Sequence, residues 1–202
     1  MQRIVVQPEH PDPRLIRRAV ESLRRGGVIA YPTDTVYGLG CSVDEPKSID
    51  RIVEMKRLAK DQPLAFLCPD LGNLARYAVV DDPSYRLMRR LTPGPYVFIL
   101  RATKEAPRTL HVSKKRKTVG IRVPHHEVAL ALLRELGTPI VSTSASLDGE
   151  TYNDPTDIAR VFKRIDVLVD AGYGGLEPST VLDLTGDEVV VVREGAGPVD
   201  IL

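Results

Sequence analysis

A run of polar side chains directly after an apolar strand is the first place in this chain where chemistry could occur. Residues 31–41 read YPTDTVYGLGC. The hydroxyls of Thr33, Thr35 and Tyr37 and the carboxylate of Asp34 offer hydrogen-bond donors and acceptors, and two glycines let the backbone approach a ligand closely. The segment fits the floor of a site for a polar ligand. It equally fits an ordinary strand that ends in a turn.

Two further segments carry groups that could contact a ligand. Residues 142–146, STSAS, also follow an apolar strand, where α/β sheets often bind ligands, although such hydroxyls can also cap their own turn. Lys56 and Arg57 end a predicted helix, where the helix dipole favours cations. A solvated helix end and a lysine that contacts a nucleotide phosphate both remain open.

Positive charge is concentrated at three places. Lys114, Lys115, Arg116 and Lys117 are consecutive, which suits either a solvated loop or a contact with nucleic acid. Two arginines instead lie within or at the end of apolar strands, at positions 122 and 193. An arginine with apolar neighbours usually has an anionic partner, so each should meet a carboxylate of the protein or an anionic ligand.

Alternating helix and strand signals must position these groups. Helices are predicted over 14–25, 46–58, 71–77, 83–91, 127–136 and 155–162. Strands are predicted over 3–6, 28–31, 64–68, 96–101, 118–123, 140–142 and 167–170, with a hairpin formed by 180–184 and 189–193. The alternation predicts one domain over residues 1–202, of the α/β class, with a twisted and partly parallel sheet.

Composition excludes several classes of protein. With 43% apolar and 27% charged residues and a net charge of +1, the chain is of ordinary globular type. Cys41 and Cys68 are too few for a disulfide framework, and His125 and His126 lack partners at metal-ligand spacing. Walker A, GxGxxG and GxSxG motifs are missing from the sequence. Without a signal-peptide pattern or an apolar run of membrane-spanning length, we expect a cytoplasmic protein.

Taken in order, seven segments resemble the YrdC-like domain of the threonylcarbamoyl-AMP synthase family. They are GGVIAYPTDTVYGLGC, KRLAKDQPLAFL, TPGPYVFIL, TVGIRVP, PIVSTSAS, PSTVLDL and VVVREGAG. The resemblance implies an α/β fold in which a mixed parallel and antiparallel sheet with flanking helices forms a basic concave cavity. It also implies a nucleotidyltransferase that converts L-threonine, bicarbonate and ATP into threonylcarbamoyl-AMP and pyrophosphate, for threonylcarbamoyl modification of an adenosine in tRNA.

The resemblance also assigns roles to individual residues of this chain. Threonine would be contacted by Thr33, Thr35, Arg122 and Ser142. ATP would be contacted by Lys56, Arg57, Gln62, Thr118, Ser144, Ser146 and Arg193. The catalytic groups would be Lys56, Arg122 and Ser144, and Mg²⁺ would enter with ATP rather than through a tightly bound protein site. An RNA contact would be made by Lys114, Lys115, Arg116 and Lys117.

Four positions depart from the family's usual pattern. The Lys-x-Arg signature begins at Lys56 but ends in Leu58, and the Ser-x-Asn signature ends in Ser146. Leu67 and Val97 stand where the family often has histidine and threonine. These differences resemble a YciO-like branch. They imply an alternative function, a protein that binds RNA or another ligand with little or no synthase activity. If synthase activity is retained, we expect the neighbouring arginine at 57 to replace the missing guanidinium.

Overall fold

The computed structural model of the protein describes residues 1–58, 64–72, 74–106 and 117–201. Its helices are α1 (Pro13–Arg24), α2 (Pro46–Met55), α3 (Asp82–Leu91), α4 (Glu127–Leu136) and α5 (Pro155–Val161), with a 3₁₀ helix at Leu74–Arg76. Its strands are β1 (Gln2–Val5), β2 (Ile29–Tyr31), β3 (Gly38–Ser42), β4 (Ala65–Leu67), β5 (Ala78–Val79), β6 (Tyr96–Ala102), β7 (Thr118–Arg122), β8 (Ile140–Ser144), β9 (Ser146–Leu147), β10 (Glu150–Thr151), β11 (Val167–Asp170), β12 (Thr180–Asp183) and β13 (Val190–Arg193).

Eleven of the described strands form one mixed sheet. Its order is β1-β11-β2-β3-β8-β4-β7-β6-β12-β13, with β5 added beside β6, while β9 and β10 form a separate hairpin. Strands β1, β11 and β2 are parallel, as are β4 with β7 and β6 with β12. Antiparallel pairs, such as β3 with β8 and β6 with β7, separate these parallel groups. The predicted mixed sheet and the predicted hairpin of β12 with β13 are confirmed.

Helices cover the sheet on both faces. Successive strand residues point to opposite faces, so β2 places Ile29 and Tyr31 in a core with α1 and α4. Its neighbours Val28 and Ala30 lie in the other core, which also contains side chains of α2, α3 and α5. Among the described residues, none of the helices is long and apolar enough to cross a membrane.

Strand β3 is the main element that the sequence did not predict. Its sequence, GLGCS, contains two glycines, which weaken strand preference and suggest a turn. In the structure these glycines allow close packing at the centre of the sheet. A Cβ added at Gly40 would lie 2.6 Å from Ile140 Cγ2 and 2.9 Å from the Tyr31 ring. The predicted helix over 46–58 ends earlier, at Met55, and the helix predicted over 71–77 is only a short 3₁₀ segment.

Candidate functional site

The polar segments singled out in the sequence meet around one cavity. The loop between β2 and β3 contributes Thr33, β7 contributes Arg122, and β8 contributes the run 142–144. The loop before β12 contributes Ser179, and β13 contributes Arg193. Apolar side chains form the remaining lining, among them Leu64, Leu67, Val97, Ile99 and Val181. A mostly apolar cleft with a few convergent polar groups is the usual form of a small-molecule site.

Arg122 is the most buried cation of the cavity. Only 6% of the residue is exposed. Its guanidinium donates to Thr35 Oγ1 at 2.9 Å and to Asp34 Oδ1 at 2.5 Å, which identifies Asp34 as its protein partner. Burial lowers the pKa of Arg122, while the charge of Asp34 opposes that shift. Among the described residues, one polar atom on each side of the pair, Arg122 Nε and Asp34 Oδ2, is buried with no hydrogen-bond partner.

Hydroxyl groups surround this ion pair. Thr33 Oγ1 donates to the Val36 carbonyl oxygen at 2.6 Å and lies 3.2 Å from Thr35 Oγ1. Thr35 Oγ1 is also 3.4 Å from Ser179 Oγ. The loop is therefore folded around its own hydroxyls, and Thr35 is held by Arg122 on one side and Ser179 on the other.

Two tyrosines support the cavity from behind. Tyr31 donates its hydroxyl to Ser142 Oγ at 2.6 Å, and burial raises the pKa of this tyrosine. Tyr37 donates to the Gly172 carbonyl oxygen at 2.7 Å and accepts from the Ala171 amide at 3.1 Å. The Tyr37 hydroxyl, a candidate ligand contact from the sequence, is thus engaged in fixing the loop after β11. Burial raises the pKa of Tyr37 to about 12.

Arg193 is a second cationic side chain that lines the cavity. Its guanidinium donates twice to the Ser179 carbonyl oxygen, at 3.2 and 2.7 Å. Within the described ranges no carboxylate makes an ion pair with it, in contrast to Arg122. Its pKa is lowered first by burial and then by the positive charge of Arg122. Two cations therefore share this cavity with Asp34 as the carboxylate paired to one of them.

Lys56 lies beneath the end of β8 and is not among the residues that line the cavity. Its ammonium contacts the Ser144 carbonyl oxygen at 2.6 Å and Thr143 Oγ1 at 3.0 Å, with Ser146 Oγ at 3.3 Å and Ser144 Oγ at 3.5 Å. Only 8% of the residue is exposed, and burial lowers its pKa to about 8. Lys56 therefore holds the segment that presents Ser144 to the cavity.

Other predicted residues lie away from the cavity lining. Arg57 is exposed and forms an ion pair with Asp148 at 3.1 Å. Thr118 is buried at the start of β7, and Lys117 is exposed just before it, with a left-handed backbone (φ 51°). Ser146 contributes indirectly, through its 2.9 Å contact with Ser144 Oγ. The remaining candidates fall outside the described residues: Gln62, Lys114, Lys115 and Arg116.

Two site residues received no role from sequence reasoning. Asp34 was seen only as one of several polar groups, although its place beside two threonines was visible. Ser179 lies in PSTVLDL, but nothing in that motif shows that it meets Thr35, 144 positions away in the chain.

The described residues contain no group of three or more His, Cys, Asp or Glu side chains that could hold a metal ion. The guanidiniums of Arg122 and Arg193 and the hydroxyls around them are hydrogen-bond donors that suit an anionic ligand.

Comparison with known proteins identifies the family of this chain. The family model described as Telomere recombination (Sua5, YciO, YrdC) matches residues 21–195. The chain belongs to the Sua5/YciO/YrdC family. One member, YciO of Escherichia coli K12, is 47% identical over 197 residues, which cover 96% of this chain and 95% of YciO. Another, the threonylcarbamoyl-AMP synthase of Halorhodospira halophila, is 36% identical and covers 86% of this chain and 91% of its own.

Solved structures of the Sua5/YciO/YrdC family share the fold. The crystal structure of E. coli YciO matches with a TM-score of 0.93 and 46% identity, covering 98% of this chain and 97% of that one. Sua5 of P. abyssi, complexed with L-threonine, matches with a TM-score of 0.92 and 30% identity. The match covers all of this chain and 59% of the Sua5 chain. The YrdC-type fold expected from the sequence is confirmed.

Proposed function

We propose that this protein forms threonylcarbamoyl-AMP from L-threonine, bicarbonate and ATP. The observation that carries the proposal is the pair of guanidiniums, Arg122 and Arg193, at one cavity whose rim is made of hydroxyls. Arg122 is matched by Asp34, while Arg193 has only a carbonyl partner among the described residues. The site therefore has positive charge available for an anionic ligand. Supporting relatives are a threonylcarbamoyl-AMP synthase and a Sua5 protein complexed with L-threonine.

The threonine carboxylate binds at Arg122. Thr35 and Asp34 each occupy one donor on the two terminal nitrogens of this guanidinium, which leaves a second N–H on each nitrogen for a ligand. Because the Arg122 side chain is already fixed by two hydrogen bonds, little conformational entropy is lost when the carboxylate binds. Thr33 and Ser142, which also line the cavity, complete the polar surface around the amino acid.

ATP binds with its phosphates toward Arg193 and the hydroxyl of Ser144. The threonine amine and bicarbonate combine to a carbamate with loss of water. A carbamate oxygen then attacks the α-phosphorus, a new P–O bond forms, and the bond to the bridging oxygen of the β-phosphate breaks as pyrophosphate leaves. Such a transfer needs positioned positive charge more than a covalent nucleophile. Mg²⁺, carried by the nucleotide phosphates, would supply further charge neutralisation.

Lys56 acts as a positioning residue in this proposal. Its ammonium holds the Ser144 carbonyl and the neighbouring hydroxyls from below. Loss of this contact would free the end of β8 and displace Ser144 from the cavity rim. The effect on the reaction would then arise from lost orientation of the phosphates rather than from a lost direct contact.

Isothermal titration with L-threonine and with ATP–Mg²⁺ tests the proposed division of the site. Arg122→Gln should lower the affinity for L-threonine at least tenfold, since a charged hydrogen bond contributes about 1.5–3 kcal/mol. Arg193→Gln should lower the affinity for ATP by a similar factor and leave the affinity for L-threonine nearly unchanged. Arg160→Gln, a change at an exposed position on α5, is the control and should alter neither affinity. Equal affinities in the wild type and in both cavity variants would contradict the proposed site.

Arg57→Gln asks a separate question in the same titration. A weaker ATP affinity would support Arg57 as the replacement for the guanidinium absent at Leu58. An unchanged affinity would remove that role and leave Arg57 as the exposed partner of Asp148.

The second candidate function is RNA or ligand binding with little or no turnover. It is favoured by Leu58 and Ser146, which replace signature residues, and by the 47% identity to YciO. The run Lys114–Lys117 would then contact RNA phosphates, and its replacement should reduce the salt dependence of binding. RNA binding in a protein that makes no threonylcarbamoyl-AMP would favour this candidate.

A further inference from the structure

One edge of the large sheet carries four consecutive exposed valines. Strand β13 is the last strand at this edge, and among the described residues no strand pairs with its outer side. The valines at 189–192 are each between 42% and 56% exposed. Soluble proteins usually keep such a sequence off an edge strand, because the free N–H and C=O groups of the edge can pair with a strand of another chain.

The opposite edge of the sheet is better protected. Strand β1 exposes Gln2, Arg3 and Val5 and buries Ile4. Arg3 forms an ion pair with Asp170 at 2.7 Å, which places charged groups on this edge. Charged side chains on an edge strand oppose pairing with another chain. The valine edge has no charge over four residues, and an exposed apolar patch of this kind marks an interaction surface.

Charges of opposite sign close the valine segment at its two ends. Residues 188–193 read EVVVVR. Within the part of the chain that the structure describes, neither Glu188 nor Arg193 forms an ion pair. Arg193 donates two N–H groups to the Ser179 carbonyl oxygen and keeps its other N–H groups for a further acceptor. When this segment lies antiparallel to a copy of itself, Glu188 faces Arg193 and valines face valines.

We propose that β13 is a dimerisation surface, at which a second copy of this chain pairs its own β13 in antiparallel orientation. The two-fold axis passes between Val190 and Val191, so each of these valines faces the other in the second copy. Glu188 then faces Arg193 at both ends of the pairing. Directly opposite pairs of unlike charge and of β-branched side chains stabilise antiparallel strands.

The two-fold arrangement closes on itself. It joins two sheets into one and uses both β13 edges, so no further copy can be added there. Pairing of β13 with β1 of another copy would instead leave free edges and grow into a filament. The charged groups on β1 oppose that contact.

Other occupants fit this edge less well. A lipid surface cannot satisfy the unpaired N–H and C=O groups of an edge strand, because hydrocarbon offers no hydrogen-bond partner. A strand of another protein would need a matching pattern of charge and apolar side chains, whereas the segment EVVVVR is complementary to itself. A second copy of the chain is therefore the partner that the sequence of this edge favours.

The size of the contact predicts a dimer that depends on concentration. Six paired residues span about 20 Å at roughly 3.3 Å per residue. Standard protein interfaces contain about 20–30 residues on each side. We therefore expect monomer and dimer in exchange rather than a permanent dimer.

Sedimentation equilibrium from micromolar to near-millimolar concentration tests the pairing. The mean mass of the wild type should rise from 22.3 kDa toward twice that value. Val190→Lys should raise the dissociation constant at least tenfold, because its lysine would face an apolar side chain of the second copy. Residue 190 is chosen because the bulge of β13 lies at 192. Val5→Lys, at an exposed valine of the opposite edge, is the control and should keep the wild-type constant.

Exchange of the terminal charges tests the register of the two strands. Glu188→Arg and Arg193→Glu should each weaken self-association, because like charges then face each other. An equimolar mixture of the two variants should associate more tightly than either variant alone, since unlike charges face each other again. Hydrogen exchange of the amides at 188–193 should also slow in the wild type as its concentration rises.

Five results would overturn this proposal. The first is a wild type that stays monomeric over the whole range, including one that binds lipid vesicles or a foreign extended peptide instead. The others are an unchanged constant in Val190→Lys, an equal loss in Val5→Lys, a mixture no tighter than its components, and growth into open filaments. Circular dichroism would verify that each variant is folded. All measurements are made without L-threonine or ATP, so their outcome is independent of the proposed function.

Discussion

Replacement of Lys56 by methionine tests whether the ammonium beneath the cavity rim is buried in the folded protein. Burial lowers the Lys56 pKa from 10.5 to about 8. Below pH 8 the lysine is protonated in both the folded and the unfolded chain, so burial of the charge opposes folding in full. Between pH 8 and 10.5 the unfolded chain binds more protons than the folded chain, and stability therefore rises with pH. The gain is about 3 kcal/mol, from a difference of about 2.5 pKa units at 1.36 kcal/mol each.

The assay is urea unfolding of the wild type and Lys56→Met at several pH values from neutral to 10.5. Other titrating groups are common to both proteins and cancel in the difference. The wild type should gain about 3 kcal/mol relative to Lys56→Met across this window. Lys163→Met, at an exposed position on the chain segment after α5, is the control and should run parallel to the wild type. If the difference in the free energy of unfolding between wild type and Lys56→Met stays constant with pH, the conclusion that Lys56 is buried in the folded protein is refuted.

Two further predictions concern the loop that carries the threonine site. Arg122→Met and Asp34→Asn should each reduce the free energy of unfolding by about 3–5 kcal/mol, because each leaves the other partner buried and unpaired. The double variant should lose clearly less than the sum, and strictly additive losses in urea titrations would argue against the pair. Gly175→Ala should lower the melting temperature, since its Cβ would clash with the Thr35 carbonyl oxygen. Gly186→Ala, whose Cβ has its nearest neighbour 4.0 Å away, serves as the comparison, and equal melting temperatures would contradict this packing.

Elements with a strong local pattern were predictable from the sequence. Helix α1 has an apolar face that repeats with helical period, an Asp12 cap that accepts from the Arg14 amide, and Pro13 in its first turn. The prediction of 14–25 differs by one residue at each end. Strand β3 was not predictable in this way, because its glycines are explained only by the Tyr31 ring and Ile140 that pack against them. These neighbours are brought to β3 by the pairing of strands that are distant in the chain.

The candidate site shows the same division. Sequence reasoning expected an anionic partner for Arg122, either a carboxylate of the protein or a ligand, and the structure provides Asp34. The contact of Lys56 with ATP, implied by the family resemblance, stays a prediction, whereas the contact of its ammonium with the Ser144 carbonyl oxygen, 88 positions away, was not foreseen. Such contacts depend on the order β3-β8-β4 in the sheet, and the alternation of helices and strands does not determine that order.

Formation of threonylcarbamoyl-AMP is the most direct test of the proposed function. The purified protein would be incubated with L-threonine, ATP, Mg²⁺ and ¹³C-labelled bicarbonate, and the products would be examined by mass spectrometry. We expect a labelled threonylcarbamoyl-AMP that is lost in Arg122→Gln and retained in Arg160→Gln. Absence of the labelled product from the wild type, or its persistence in Arg122→Gln, would contradict the proposed reaction at this cavity.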